Sequence, residues 1–176
     1  MNFFPEIDRW RIPQAALSDS FAEMSRDGAS GNEGIALWLG DRRDDRLAIV
    51  THIVFLRGLG IRRSPDNITI EPVLLREVHH AARKEGTVLL GQIHSHGPGY
   101  GISLSPVDQR CGIAVPDFLS IVAPNYAQDG FRTLIECGVH IFDRETRHYR
   151  RISGTAVVSS LQVVSGMGAK VLTIEK

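Results

Sequence analysis

Apolar and polar positions along the chain follow two periods. In "IPQAALSDSFAEMSRDGASGN", Leu17, Phe21 and Met24 recur at helical spacing and form one stripe, with Pro13 in the first turn and "GASGN" as the stop. "EGIALWLG", from Glu33 to Gly40, then reads as a strand. "DRRDDR" is a charged turn, and "LAIVTHIVFL", from Leu47 to Leu56, is a second strand that completes a hairpin. "RGLGIRRSPDNIT" reads as a loop punctuated by Gly, Pro and Asn. "EPVLLREVHHAARKEG" is the clearest helix: Leu75, Val78 and Ala82 share a face, basic residues fill the last turns, and Gly86 marks the stop.

After it, "TVLLGQI" is an apolar strand and "SPVDQRCGIA" opens a short helix that Pro116 closes. "FLSIVAP" is another strand, and "RTLIECGVHIF" and "RHYRRIS" flank a "DRET" turn. "TAVVSSLQVV" and "KVLTIEK" are expected to add one or two edge strands. This order of elements predicts an α/β fold: an α-β sandwich in which one curved mixed β-sheet is flanked by helices. With no repeat, low-complexity tract or linker in view, residues 1–176 are expected to form a single domain with its core at about 13–153.

Charge narrows the partners. Lys and Arg number 20, as do Asp and Glu, so the formal net charge is zero and no basic field calls for nucleic acid or an acidic membrane. No segment reaches the ~20 apolar residues of a membrane span. "MNFFPEIDRW" has acids and a proline where a signal peptide needs a basic start and an apolar run. A cytoplasmic location is therefore expected. The two cysteines, Cys111 and Cys137, sit in apolar flanks and read as buried free thiols, not as a disulfide framework.

The stretch "GQIHSHGPGYGISLSPVDQRCG" concentrates the candidate chemistry. His94 and His96, two residues apart, point to the same face of a regular strand. Two adjacent imidazoles suit a metal such as Zn²⁺, and a catalytic tetrahedral site needs a third protein ligand and one open corner. Asp108 is the best candidate, because the glycine-rich "GPGYG" allows the chain to bend back. A plainer reading stands beside this one. A histidine pair can be a hydrogen-bonded feature of a strand end. Ser105, Pro106 and Asp108 can simply be the N-cap, first residue and first-turn acid of a helix. The two readings are compatible, since a capped helix holds a ligand rigidly. His52, His79, His80, His140 and His148 read as structural or exposed.

His-Ser-His, a short spacer and Ser-Pro-Val-Asp, preceded by Glu33 in "EGIALWLG", resembles the motif of the JAMM zinc metalloproteases, the catalytic branch of the MPN (Mov34/PAD-1) superfamily. The similarity runs from about Pro13 to Tyr149 and is greatest to the compact prokaryotic JAB-type deconjugating isopeptidases. It implies a cytidine deaminase-like α-β sandwich. It makes His94, His96 and Asp108 the ligands of one Zn²⁺ per chain, with water at the fourth position. Glu33 becomes the general base and Ser105 the hydrogen-bond donor to the oxyanion. Two details depart from the pattern: Gly97 stands where the family usually has proline, and Ser103 competes with Ser105 for the serine role. The loops around Arg57 to Thr69 and Pro124 to Arg132 look short, which argues against strict selectivity for one ubiquitin-chain linkage.

The resemblance further implies hydrolysis after the C-terminal glycine of a ubiquitin-like protein bound as an extended tail, in deconjugation or precursor maturation. Such an activity would serve a bacterial conjugation or antiphage defence pathway. Processing of a sulfur-carrier protein is a second enzymatic reading. A non-catalytic MPN scaffold is a reading of another class. A nucleic-acid role is disfavoured by the neutral charge.

Overall fold

A computed structural model describes residues 6–176, so the stretch from residue 1 that is expected not to be a signal peptide lies partly outside the described residues. The chain opens with β1 (Arg9–Pro13), α1 (Gln14–Gly28), β2 (Ile35–Arg42) and β3 (Leu47–Arg57). A small hairpin, β4 (Ile61–Arg63) and β5 (Ile68–Ile70), precedes α2 (Pro72–Lys84). Then come β6 (Val88–Ser95), α3 (Pro106–Cys111), β7 (Leu119–Ala123), β8 (Gly138–Phe142) and β9 (Tyr149–Ile152). The last elements are α4 (Thr155–Ser160), β10 (Leu161–Val164) and β11 (Lys170–Glu175).

Nine strands form one mixed sheet in the order β10-β1-β3-β2-β6-β7-β8-β9, with β11 also paired to β3. β2 is antiparallel to both β3 and β6, whereas β6 and β7 run parallel. A parallel pair requires a crossover, and the segment that makes it carries the glycine-rich loop and α3. The pairing of β2 shifts register near Leu39 and Gly40, where a Cβ on Gly40 would lie 1.9 Å from the Ile49 carbonyl oxygen. Only glycine permits that approach at the bulge.

The two sheet faces bury separate cores. On one, the α1 stripe of Leu17, Phe21 and Met24 meets Trp38, Ile53 and Ile93. On the other, Leu74, Val78 and Ala82 of α2 pack on Leu37, Leu39 and Val54. The expected α/β sandwich with a curved mixed sheet is the observed architecture. Among the described residues no helix is long and apolar enough to cross a membrane.

Several elements differ from the sequence reading. β1 was not anticipated, and buried Trp10 and Leu161 extend the core beyond 13–153. The 57–69 loop contains the β4-β5 hairpin, whose strands are too short for a period to emerge. "TAVVSS" is helical, because Gly154 at φ 57 turns the chain before it. In α2 it is Leu74 that is fully buried, while Leu75 is half-exposed at a cleft. Cys137 is buried as expected, with its thiol pushed up to about 12 by burial, but Cys111 is exposed. Its helix ends there, at the surface.

One polar contact locks α1 to the sheet. Buried Trp38 donates its Nε1–H to Ser20 Oγ at 3.1 Å, and Ser20 donates to the Ala16 carbonyl at 2.6 Å. Ser20→Ala leaves the indole N–H unpaired in the core and is expected to cost about 1–3 kcal/mol. Urea denaturation measures it; an unchanged midpoint would show that the bond contributes nothing.

Candidate metal centre

β6 delivers the first histidine from the middle of the sheet. His94 faces Ile35 across the antiparallel pair and Val122 across the parallel one, so its Cα is fixed from both sides. His96 lies one residue past the strand, yet its backbone is equally held. Its N–H donates to the Ala123 carbonyl at 2.9 Å, and its carbonyl accepts from Tyr126 N–H at 2.7 Å. Both side chains are buried.

The third residue arrives on α3. Ser105 is the N-cap: its hydroxyl oxygen accepts from the Asp108 amide at 3.1 Å, while the Asp108 carboxylate accepts from the Ser105 amide at 2.7 Å. This reciprocal capping box fixes Asp108 Oδ2. That oxygen lies 3.3 Å from His96 Nε2 and 3.7 Å from His94 Nε2, and the two imidazole nitrogens are 3.3 Å apart. Around a tetrahedral ion bonded at ~2.0–2.1 Å, neighbouring donors stand ~3.3–3.4 Å apart. The three atoms therefore fit one such ion. The tautomer of His96 agrees: its Nδ1 is 3.1 Å from the Gly101 carbonyl, to which only an N–H can bond, so Nε2 carries the lone pair. His94 Nδ1 is buried with no hydrogen-bond partner among the described residues.

Glu33, just before β2, lines the same cleft as His94 and Asp108. Burial pushes its carboxyl up to about 7; His96 pulls it down, while Asp108 and Asp66 add to the rise. Burial also works against the Asp108 carboxylate, but the neighbouring His94 and His96 imidazoles and Ser105 outweigh it and hold that carboxyl well below the usual range. Of the two serines, Ser105 is bound to Asp108, whereas Ser103 accepts a hydrogen bond from Arg151 at 3.1 Å. Of the two, Ser105 is the one that adjoins the donor cluster.

Several residues that build the site were not singled out in the sequence. Ser95, between the histidines, is fully buried and accepts from Gly34 N–H at 2.9 Å, while its own N–H donates to the Gly34 carbonyl at 3.0 Å. It ties the residue after Glu33 to the histidine strand. Strand alternation alone would have placed Ser95 on the opposite face, but not its partner. Gln92 also lines the cleft and donates to Ser120 at 3.2 Å.

Tyr126 sits in three successive residues of left-handed backbone, Asn125 to Ala127, at φ 51, 52 and 58. Such residues cost roughly 1–2 kcal/mol each. The turn directs the Tyr126 amide to His96 and lets its hydroxyl donate to the Pro65 carbonyl at 2.9 Å. A Cβ on Gly97 would lie 2.6 Å from the Tyr126 hydroxyl oxygen. The glycine that departs from the JAMM pattern is therefore the residue against which this ring packs.

No family model matches the chain. A protein of Sinorhizobium fredii named "Probable metalloprotease y4jG" is 29% identical over 134 residues, covering 74% of this chain and 80% of that one. A solution structure of a Desulfitobacterium hafniense protein aligns with a TM-score of 0.59 at 18% identity, over 95% of this chain and 94% of that chain. One from Salinibacter ruber aligns with a TM-score of 0.52 at 18% identity, over 80% and 88% respectively. At these identities the two structures speak for the fold alone.

The glycine-rich loop is seated on β8, where a Cβ on Gly138 would lie 1.6 Å from the Ile102 carbonyl oxygen. Gly138→Ala is expected to displace the loop that leads to Asp108, to cost about 1–3 kcal/mol in urea denaturation, and to weaken any binding of a divalent metal ion in calorimetric titration. Unchanged stability and affinity would refute this seating.

Proposed function

We propose that the chain is a zinc-dependent peptidase of the JAMM type. It would hydrolyse the peptide or isopeptide bond after the C-terminal glycine of a ubiquitin-like protein. The observation that carries the reading is the convergence of His94 Nε2, His96 Nε2 and Asp108 Oδ2, within 4.8 Å of one another, in a cleft that Glu33 also lines. Two imidazoles and one carboxylate are a donor set suited to zinc. The relative named as a probable metalloprotease supports the same class of chemistry.

A zinc ion held there supplies Lewis acidity, bringing the pKa of water toward ~7 and polarising the scissile carbonyl. The remaining work falls to side chains. Glu33 accepts the proton of the attacking water as its oxygen bonds to the carbonyl carbon, then returns that proton to the leaving amine as the C–N bond breaks. A carboxyl poised near neutrality suits both transfers. Ser105 uses its oxygen to accept from the Asp108 amide, which leaves its own proton to donate toward the developing oxyanion. An extended tail suits this cleft, because Ile35, Ile68, Ile70 and Leu75 line it beside the β4-β5 hairpin, and a short free strand edge accepts a peptide by backbone pairing. A cytoplasmic setting agrees with two free thiols.

The test is cleavage of a ubiquitin-like protein carrying a C-terminal extension beyond Gly-Gly. Cleavage after the glycine should stop with chelator and return with Zn²⁺. Glu33→Gln should retain one zinc per chain and lose at least ~10²-fold in turnover. Chelator-insensitive cleavage, or full activity without Glu33, would overturn the mechanism.

A further inference from the structure

The cleft at the metal centre does not end there. It shares Leu75, Cys111, Gly112 and Ile113 with a second cavity of about 490 Å³, which runs between α2 and the segment after α3. Val88 and Leu89 at the start of β6 line this second cavity, with Ile113 and Val115 from the segment after α3. Through these four shared residues the two cavities adjoin and form one groove.

Its charge is one-sided. No carboxylate lines the second cavity, whereas Arg42, His79 and Arg83 do. Arg42 is engaged with Asp117 at 3.8 Å. His79 and Arg83 are exposed on α2, and among the described residues no ion pair involves either. The acids nearest them on the same stretch are engaged elsewhere: Glu77 with Lys176 and Glu85 with Lys170, each at 2.8 Å. The wall therefore presents the Arg83 guanidinium, with the His79 imidazole one turn away, above an apolar floor.

We infer that this groove is a specificity subsite for an extended acidic-apolar segment of the substrate, with apolar side chains on Val88, Leu89 and Val115 and carboxylates toward Arg83 and His79. The inference rests on the peptidase reading of the adjacent centre. Length sets the register. From Leu75 to Arg83, α2 rises ~12 Å, which spans about four residues of extended peptide. The subsite therefore reads side chains roughly three to six residues from the scissile bond. Alternation in an extended chain sends every second side chain to the floor and the others to the rim.

The test uses the full chain and fluorescein-labelled peptides ending in Gly-Gly, followed by anisotropy. A Leu-Asp-Leu-Asp-Gly-Gly probe should bind at least fivefold more tightly than Leu-Lys-Leu-Lys-Gly-Gly, and replacing both leucines by serine should weaken it further. Arg83→Glu, at an exposed position, should abolish or reverse the charge preference. Val115→Glu should weaken the acidic probe. Equal affinity for both peptides, a basic preference, or a preference untouched by Arg83→Glu each overturns the subsite. Cleavage is followed separately on a ubiquitin-like protein extended beyond Gly-Gly, with and without chelator, and this separates the two claims. Charge-selective binding without zinc-dependent cleavage would sink the peptidase reading and leave the subsite standing. Cleavage without charge selectivity would do the opposite.

Discussion

Three electron-rich atoms aimed at one point repel one another, and neither imidazole nor carboxylate gathers this way without compulsion. The compulsion here is backbone pairing. His94 lies inside a strand with a neighbour on each side, and His96 is clamped between Ala123 and Tyr126. Asp108 is fixed by the Ser105 capping box. None of the three relies on a loose side chain finding its place. A cation that relieves this repulsion would add its binding energy to folding, so the centre and the sheet stabilise each other.

The strained turn at Tyr126 shows the same logic from the other side. Three left-handed residues are unfavourable in isolation, yet they let one residue bond to the His96 carbonyl, cover Gly97 and hold the β4-β5 hairpin through Pro65. Local strain is retained where it couples the hairpin to the histidine strand.

Much of this was legible in the chain because it depends on local spacing. The α1 stripe, the β2-β3 hairpin and the same-face geometry of His94 and His96 follow from periods of 3.6 and 2. The association of Glu33 with the centre could not come from spacing; it came from likeness to a motif, and in the structure it is realised through Ser95 and Gly34. What stayed hidden was long-range or short. β1 has only five residues and gains its identity from β3 and β10. The strands of the β4-β5 hairpin are too brief to show alternation. The exposure of Cys111 depends on where α3 stops, and an apolar flank does not reveal that.

β3 is paired along its outer edge by two strands from opposite ends of the sequence. Leu47 to Ile49 meet β1, while His52 to Arg57 meet β11, with His52 beside Lys170. During synthesis the second half of that edge must wait 118 residues (170 − 52) for its neighbour. Until Lys170 to Glu175 leave the ribosome, a row of unsatisfied amides and carbonyls on an apolar central strand stays open to any other nascent chain. Completion of the sheet is thus a late, non-local event.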